Sequence, residues 1–579
     1  MQFLSGNEAI AQGAWEAGAR IGAAYPGTPS TETMQAFAAK EGVYAEWAPN
    51  EKVAVEVGVG ASAAGARVLC TMKHVGVNVA ADPLFTAAYT GVNGGLVVLA
   101  ADDPGMHSSQ NEQDSRFYAM GARIPMMEPS DSAEALQFTK AAFELSERFD
   151  LPFFIRSTVR ISHAKCPVEV GEREEVELRH YSKDPSKWVM MPANAKPRRL
   201  ELDRRLAEVR AWTETCEYNQ VIEGSSEVGI ICTGAVYQYV ADAMPEASIL
   251  KLGVAWPIPE GKVREFAASV DRVYVVEEAS DYLSMQVKAA GVKLSDTVQP
   301  LPCYGELSPL AIAKAFGKPV PEHIDTQTDL PGRPPALCCG CPHRIVFKEL
   351  TKQRAIITGD IGCYTLGALP PLGAMETTVD MGASISMAHG FELVMQGTKH
   401  RPIVGVIGDS TFGHSGITSL LNTAYNNGAG TICILDNRTT AMTGHQGNCF
   451  NGITLQGRSS REMNIEAIVR ALGIEDVKTV DPNDMLATRD AIKKAIANEN
   501  ELSVLIFRSP CALLRDSFQR KKPYEVTSGC IGCGVCVSIG CPALSRDPQT
   551  GTAMIDRDQC VGCGQCQQYC HYASIVQED

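Results

Sequence analysis

The sequence predicts a multidomain α/β protein with two doubly wound parallel-sheet domains, a smaller α/β domain and a cysteine-rich C-terminal domain. Short apolar runs of buried-strand type, such as that at 21–24, alternate with helical patterns in residues 1–165 and again in residues 404–435. This alternation is typical of parallel sheets, in which each helix carries the chain back to begin the next strand. Beyond residue 529, eight cysteines form two regularly spaced runs, which indicates a metal-binding domain.

Length, net charge and cysteine content limit the number of domains and the kinds of partner that the chain can have. The chain has 579 residues, enough for about three to five domains of roughly 100–200 residues each. Its net charge of −15 argues against nucleic acid or an anionic membrane as a partner. Because the sequence has no long apolar run and no export signal at its start, we expect a cytoplasmic protein. Twenty cysteines in such a chain indicate metal clusters rather than disulfides.

In order along the chain, we predict five regions. Residues 1–165 form the first α/β domain, 166–225 a charged connector, and 226–325 a smaller α/β domain. Residues 330–515 form the second large α/β domain, which a basic linker at 515–526 joins to a tail domain at 523–579. The linker is interpreted as solvated, although its charge would also attract an acidic electron carrier.

The clearest βαβ unit has strands predicted at 404–407 and 431–435, which end in oxygen-rich turns at 408–410 and 436–437. Ligands of parallel sheets bind where the strands end, so both turns should face one ligand. A divalent cation that holds a diphosphate needs such oxygens, and Asp409, Asn437 and the Thr439 carbonyl would supply them. The alternative is that these are two ordinary strand-to-helix turns.

Three further candidate segments follow strands or begin helices in the first domain. The turn at 25–32 offers backbone N–H groups and hydroxyls, including Thr28 and Thr31, to an anion. Glu51 follows a good N-cap residue, and from this position alone it would favour the helix dipole. Glu46 and Glu56 are competing carboxylates nearby. The polar loop at 101–116 is either a substrate-binding loop or a solvated one, with His107, Ser109 and Gln110 as its candidate side chains.

Four cysteines of the second large domain, in separate turns, suit a [4Fe-4S] cluster or zinc: Cys338, Cys341, Cys363 and Cys511. Cys339 is a possible competitor within this set. The alternative for Cys363 and Cys511 is a free buried cysteine.

The two tail runs have the spacing of bacterial two-cluster ferredoxins, in which the fourth cysteine of each run binds the other cluster. The first cluster would then bind Cys530, Cys533, Cys536 and Cys570, and the second Cys541, Cys560, Cys563 and Cys566. The first run has one extra residue before its last cysteine, and His571 replaces a proline of the pattern. A zinc ribbon is the alternative, but eight thiolates exceed what one tetrahedral ion needs.

Six motifs in this order resemble the large subunits of the indolepyruvate:ferredoxin oxidoreductase family along nearly the whole chain: YPGTPSTE, CPHR, GDIGCYTLG, MGAS, GDSTFGHSG and DNRTTAMTGHQ. The resemblance implies a thiamine diphosphate-binding fold, with residues 226–325 as a transketolase C-terminal-like domain. In that family the matching cysteines bind a cluster beside the thiamine, and Cys339 stands where the family usually has proline.

The resemblance also implies residue roles. Glu51 would act against the pyrimidine ring of thiamine diphosphate, and Mg²⁺ would bind Asp409, Asn437 and Thr439. Together with the loop at 101–116, whose polar sequence made His107 and Gln110 candidates, Thr31 is predicted to face the substrate. The remaining cofactor contacts would be Gly27, Thr28, Gly408, Ser410, Thr443 and Gly444.

The implied reaction converts an arylpyruvate, coenzyme A and oxidised ferredoxin into an arylacetyl-CoA, carbon dioxide and reduced ferredoxin. The family pairs this subunit with a smaller β subunit, so we expect an α2β2 assembly. Two other enzymes stay open: one acting on an aliphatic 2-oxoacid, and a non-oxidative thiamine-dependent decarboxylase. A pure electron-transfer or scaffold protein is the third alternative, but it would not need Glu51, Asp409 and Asn437.

Overall fold

The computed structural model describes residues 1–302, 304–320, 332, 334–395, 397, 401–514 and 519–578. The chain forms two compact units, Met1–Thr326 and Gln327–Asp579. The predicted domain boundaries at 325, 330 and 515 and the start of the predicted linker, residues 515–518, lie outside the described residues. Among the described helices, none is both long and apolar enough to cross a bilayer.

The first unit contains two principal sheets. Its strands are β1 (Gln2–Ser5), β2 (Ile21–Ala24), β3 (Tyr44–Trp47), β4 (Val68–Lys73), β5 (Leu96–Asp102), β6 (Met126–Met127), β7 (Phe153–Thr158), β8 (Lys165–Val168), β9 (Asn219–Ile222), β10 (Ser225–Thr233), β11 (Ala247–Leu252), β12 (Val254–Trp256) and β13 (Arg272–Val275). Its helices are α1 (Gly6–Glu16), α2 (Thr31–Ala38), α3 (Glu51–Ala63), α4 (His74–Val79), α5 (Ala81–Thr90), α6 (Ser115–Ala122), α7 (Ser132–Phe149), α8 (Val159–His163), α9 (Pro185–Trp188), α10 (Pro192–Thr213), α11 (Val236–Ala243), α12 (Glu260–Ala268), α13 (Tyr282–Ala289) and α14 (Pro309–Ala315).

The larger sheet has seven strands in the order β12-β6-β7-β5-β4-β2-β3. All neighbours are parallel except β12 and β6, so the predicted parallel α/β class is confirmed for this part of the chain. From β2 the chain goes to β3 on one side and then to β4 on the other. Such a switch point opens a crevice at the carboxyl ends of the two strands, where ligands of open α/β sheets bind.

The predicted connector and the predicted smaller domain are more closely joined to the first domain than the sequence implies. Strand β12 belongs to the larger sheet, while the smaller sheet has the order β13-β10-β11-β9. Within the predicted connector, helix α10 contributes the buried Arg205, whose guanidinium donates to the carbonyls of Ala88 and Tyr89, each at 3.2 Å. These contacts fix the connector on the first domain.

The second unit contains one five-stranded sheet and a small tail. Its strands are β14 (Ile356–Thr358), β15 (Ile403–Gly408), β16 (Gly430–Asp436), β17 (Val477–Val480), β18 (Leu502–Arg508), β19 (Tyr524–Val526), β20 (Leu544–Arg546), β21 (Ala553–Ile555) and β22 (Ile575–Gln577). Its helices are α15 (His343–Lys352), α16 (Ala383–Met395), α17 (Asp409–Thr411), α18 (Ile417–Tyr425), α19 (Ile465–Ala471), α20 (Met485–Ala497) and α21 (Gln565–Gln568).

The five strands are parallel and have the order β14-β15-β16-β18-β17. Helices α15 and α20 pack on one face of this sheet, and α16, α18 and α19 pack on the other. The strands predicted at 404–407 and 431–435 are therefore confirmed as β15 and β16, two adjacent central strands. Their burial between two helix layers explains their continuous apolar character.

The sequence predicts that the tail is a separate domain. In the structure, however, the tail packs on helix α15. The buried carboxylate of Glu349 accepts from the Tyr569 hydroxyl at 2.6 Å. The buried guanidinium of Arg344 donates to the carbonyls of Ile539 and Gly540. Because both charged groups are buried, separating the tail from α15 would leave them without these partners, which is costly.

Candidate active site

The carboxyl ends of β15 and β16 form the polar edge of the second unit. Strand β15 leads into a continuous helical segment formed by α17, a π-helical turn at Phe412–Gly416, and α18. Single π turns inside α-helices occur frequently at functional sites. Asp409 begins this segment, and Asn437 follows the neighbouring β16, so the predicted juxtaposition of the two turns is present.

Asp409 has the environment of a cation ligand. Its side chain is buried and accepts from the Ser410 amide at 2.8 Å and from the Asn448 side chain at 3.3 Å. Burial, together with nearby Asp436, raises the pKa of Asp409 to about 7. Within the described part of the chain Asp409 has no ion pair, whereas Asp436 binds Arg508 at 2.7 Å. A divalent cation would relieve this buried carboxylate.

The loop after β16 surrounds the same edge. The Asn437 side-chain oxygen accepts from the Thr439 amide at 3.2 Å, and the Thr440 hydroxyl donates to the Ser410 hydroxyl at 2.8 Å. These bonds bring Asp409, Ser410, Asn437 and Thr439 together. Thr443 and Gly444 lie in the following turn, where Gly444 has a φ of 118° that L side chains rarely adopt.

The donor set at this edge suits Mg²⁺ better than softer metals, because it offers a carboxylate, an amide and a backbone carbonyl. Among the described residues, no group of three or more His, Cys, Asp or Glu side chains converges to hold a single metal ion. A site with one carboxylate and other oxygens is not such a group. The residues present therefore fit Mg²⁺ together with a diphosphate.

Four cysteines lie beside this edge. The Cys511 amide donates to the Asn437 carbonyl at 3.0 Å. Burial, together with the nearby thiols of Cys511 and Cys338, raises the pKa of Cys363 to about 11. The pKa of Cys341 is raised to about 12 by burial, with smaller contributions from Cys338 and Cys363. We call these four the edge cysteines; their thiols lie near one another.

The tail contains two cavities, each lined by four cysteines of one predicted set. The first tail cavity is lined by Cys530, Cys533, Cys536 and Cys570. The second tail cavity is lined by Cys541, Cys560, Cys563 and Cys566.

Backbone amides point at the sulfur atoms of both tail cavities. Ala553 donates to Cys530 Sγ at 3.4 Å, and Ser574 donates to Cys570 Sγ at 3.2 Å. In the second tail cavity, Tyr524 donates to Cys560 Sγ at 3.4 Å. Such N–H donors stabilise thiolate ligands and tune cluster potentials, so the donor chemistry fits iron–sulfur clusters.

In the first unit, Glu51 lies at the switch point of the larger sheet. It is the first residue of α3, is buried, and follows Asn50, whose side chain accepts from the Val53 amide at 2.9 Å. Gly76 of α4 packs directly on it, since a Cβ atom added to Gly76 would lie 2.6 Å from Oε1 of Glu51. The absence of a side chain at residue 76 thus makes room for the carboxylate.

We expect Gly76→Ala to lower activity at least about tenfold while the protein stays folded, because alanine is favoured in helices and the displaced group is a side chain. Steady-state kinetics and thermal unfolding measured together would check this. Gly60→Ala in α3 is the matched control, since an added Cβ there meets nothing within 4 Å. Normal kinetics in Gly76→Ala would contradict a functional position for Glu51.

Sequence reasoning missed one charged residue at this switch point. Lys73 ends β4, and burial lowers its pKa against the opposing influence of Asp103 and Glu51. A Cβ added to Gly27 would lie 3.2 Å from Cγ of Lys73, so the predicted turn at 25–32 adjoins this lysine. The rule that functional groups follow strand ends, applied to β4, would have identified Lys73.

The predicted substrate residues have different surroundings. Thr31 is buried, and its hydroxyl has no hydrogen-bond partner among the described residues. His107 and Gln110 are exposed. Their loop is held by Asp103, which accepts from the Ser108 amide at 2.8 Å and from the Ser109 hydroxyl at 2.6 Å. The loop is therefore ordered by internal bonds, while its His107 and Gln110 side chains face solvent.

Comparison with known proteins identifies the class of enzyme to which the chain belongs. Residues 12–233 match the domain model described as pyruvate flavodoxin/ferredoxin oxidoreductase, thiamine diphosphate-binding. Residues 360–507 match the C-terminal thiamine pyrophosphate-binding domain of thiamine pyrophosphate enzymes. With the buried carboxylates at two strand edges, these matches define a thiamine diphosphate-dependent oxidoreductase.

Relatives of nearly the same length specify the family. The indolepyruvate oxidoreductase subunit IorA of Archaeoglobus fulgidus is 40% identical over 99% of this chain and 97% of its own. Those of Thermococcus kodakarensis (98% of this chain, 96% of its own) and Methanothermobacter thermautotrophicus (100% and 97%) are each 41% identical. The chain belongs to the indolepyruvate oxidoreductase subunit IorA family.

Proposed function

We propose that this chain catalyses the oxidative decarboxylation of arylpyruvates, indolepyruvate among them, with coenzyme A as acyl acceptor and ferredoxin as electron acceptor. The products are an arylacetyl-CoA, carbon dioxide and reduced ferredoxin. The observation that carries the proposal is the contact of Cys511, one of the edge cysteines, with the Asn437 backbone beside Asp409. A thiol group at the diphosphate-binding edge suits an enzyme that removes electrons where it decarboxylates.

In the second unit, Asp409, Asn437 and the Thr439 carbonyl would hold Mg²⁺. Gly408, Ser410, Thr443 and Gly444 would hold the diphosphate. Gly408 faces the ring of Tyr364, since a Cβ added to it would lie 2.6 Å from Cε1 of that tyrosine. Tyr364 in turn donates to the Thr411 hydroxyl at 3.3 Å, which fixes the turn that carries Cys363.

In the first unit, Glu51 would hold the proton that the pyrimidine ring of the cofactor shares, and Gly27 and Thr28 would line its binding site. When bound, thiamine diphosphate supplies the carbon nucleophile for the ketone of a 2-oxoacid and takes up the electron pair left by carbon dioxide. Burial of Glu51 keeps bulk water away from its carboxylate.

Three [4Fe-4S] clusters would occupy the edge cysteines and the two tail cavities. Their thiol sets are Cys338, Cys341, Cys363 and Cys511; Cys530, Cys533, Cys536 and Cys570; and Cys541, Cys560, Cys563 and Cys566. When bound, these clusters supply one-electron steps, which separate this reaction from non-oxidative decarboxylation.

The substrate and partners follow from the family. The relatives' names specify indolepyruvate, and the buried, unpaired Thr31 hydroxyl supports Thr31 as a substrate-binding residue. His107 and Gln110 complete the proposed substrate contacts. A smaller β subunit is the proposed partner, in an α2β2 assembly in the cytoplasm, with no role for nucleic acid or membrane.

The test is an anaerobic preparation of the chain with its β subunit. We expect about twelve irons per chain, from three clusters of four, together with one thiamine diphosphate and Mg²⁺. Indolepyruvate and coenzyme A should reduce ferredoxin and release carbon dioxide. Iron-free protein that releases carbon dioxide and an aldehyde would instead identify a non-oxidative decarboxylase. Turnover of aliphatic 2-oxoacids alone would overturn the arylpyruvate assignment.

A further inference from the structure

Lys73 is a lysine without a charged partner at the switch point of the larger sheet. It is the last residue of β4, and it is partly buried. Within the described part of the chain it forms no ion pair, and its ammonium group donates one hydrogen bond, to the Ser108 carbonyl at 3.2 Å. Because an ammonium group has three N–H donors, two donors of Lys73 are left for solvent or a ligand.

The carboxylates that influence Lys73 do not pair with it. Asp103 instead accepts from the Ser108 amide at 2.8 Å and from the Ser109 hydroxyl at 2.6 Å, so its oxygens are used by its own loop. Burial lowers the pKa of Lys73, while Asp103 and Glu51 have the opposite effect. A partly desolvated ammonium group that lacks an ion pair gains free energy when an anion binds to it.

The surroundings of Lys73 include the other candidate groups of this crevice. Gly27 packs on its aliphatic chain, since a Cβ added to Gly27 would lie 3.2 Å from Cγ of Lys73. The turn that contains Gly27 leads into α2, where the Thr31 hydroxyl is buried and has no hydrogen-bond partner among the described residues. Helix α4 begins directly after Lys73 and carries Gly76, which packs on Glu51. Lys73 therefore adjoins both the turn and the helix that contacts the proposed catalytic carboxylate.

Three ligands of the proposed reaction carry negative charge: the cofactor, coenzyme A and the 2-oxoacid. The cofactor diphosphate already has its proposed site in the second unit. The phosphates of coenzyme A lie far from the thiol that reacts. An anion held near Glu51 must come close to the reacting atoms, and the carboxylate of the 2-oxoacid does so, because it is the group that leaves as carbon dioxide.

We propose that Lys73 binds the carboxylate of the 2-oxoacid substrate through its remaining N–H donors. The inference rests on the proposed function. Charge-assisted hydrogen bonds of this kind are stronger than neutral ones. Because the negative charge of the substrate leaves with carbon dioxide, the contact stabilises the bound substrate more than the transition state. Its loss should therefore raise KM more than it lowers kcat.

The test compares Lys73→Met and Lys73→Arg with the wild type, each as the holoenzyme with its β subunit. Methionine keeps an aliphatic chain against Gly27 but has no N–H group, whereas arginine keeps the charge. In Lys73→Met we expect the KM for indolepyruvate to rise at least about tenfold, with a smaller change in kcat and an unchanged KM for coenzyme A. In Lys73→Arg the KM should return towards the wild-type value.

The control is Lys52→Met. Lys52 directly follows Glu51, but its side chain is 45% exposed and pairs with Glu56. This variant removes an equal charge close to the same carboxylate, and it should leave both KM values unchanged.

Two inhibitors separate carboxylate binding from a general disturbance of the site. Indolelactate has the carboxylate but a hydroxyl in place of the ketone, and tryptophol has the same ring and a hydroxyl but no carboxylate. Lys73→Met should weaken inhibition by indolelactate at least about tenfold and leave inhibition by tryptophol unchanged.

An unchanged KM for indolepyruvate in Lys73→Met would overturn the inference. Equal weakening of both inhibitors would also overturn it, since Lys73 would then only support the shape of the site. A raised KM for coenzyme A alone would assign Lys73 to that ligand instead. Wild-type holoenzyme that turns over no arylpyruvate would overturn the proposed function, and the inference with it, so the two failures are distinguishable.

Discussion

Asp409→Ala should bind thiamine diphosphate and Mg²⁺ about a thousandfold more weakly, roughly 4 kcal/mol, while it keeps its full iron content. Asp409 is the buried carboxylate proposed to anchor the metal, and its loss leaves the diphosphate charge without a held cation. The edge cysteines and the two sets of tail cysteines do not depend on Asp409, because they come from other turns. A thiochrome assay for thiamine, together with iron and magnesium analysis of the same sample, would check this.

Asp490→Ala is the matched control, since Asp490 lies in helix α20 with a side chain that is 53% exposed. This variant should bind the cofactor normally. Stoichiometric thiamine diphosphate in purified Asp409→Ala would show that the metal-binding edge is elsewhere.

Glu51→Gln should bind the cofactor normally but release carbon dioxide about 10²–10⁴-fold more slowly, because an amide cannot take up or return the shared proton. The substitution keeps the size of the side chain, so the packing against Gly76 is preserved. Single-turnover release of labelled carbon dioxide, measured beside thiamine content, separates the chemical defect from a binding defect.

The same helix provides the control. Glu56→Gln changes a surface residue whose side chain is 46% exposed and pairs with Lys52, so its turnover should be unchanged. Near-normal turnover in Glu51→Gln would leave Glu51 as a residue that merely favours the start of helix α3.

Local patterns sufficed to predict the strands and turns that form both edges. The apolar run at 21–24 coincides with β2, and the turns after β15 and β16 lie where their polar residues predict. These features were predictable because each depends on a few consecutive residues. Strand β12 has only three residues, too few to show a period, and its pairing with β6 is set by contacts distant in sequence.

Contacts across the fold were beyond sequence reasoning. The packing of Gly76 on Glu51 depends on how α3 and α4 meet, which no spacing encodes. Cys338 and Cys339 are adjacent in the sequence, but Cys338 lies with the edge cysteines whereas Cys339 lines the second tail cavity. The docking of the tail requires buried charges on α15, and a charged residue in a sequence is ordinarily expected to be exposed.

The buried contacts of Arg344 and Glu349 also determine how electrons would move through the second unit. A tail on a flexible linker would transfer electrons by moving between donor and acceptor, and each movement would take time because of solvent friction. A tail packed on α15 would instead hold the proposed clusters of the second unit at constant spacing through every turnover. The first tail cavity lies at an exposed surface of the tail, where Ile531 is 62% and Tyr572 is 55% exposed beside the exposed Cys533. An electron carrier would then need only to contact this surface, without entering the proposed decarboxylation site.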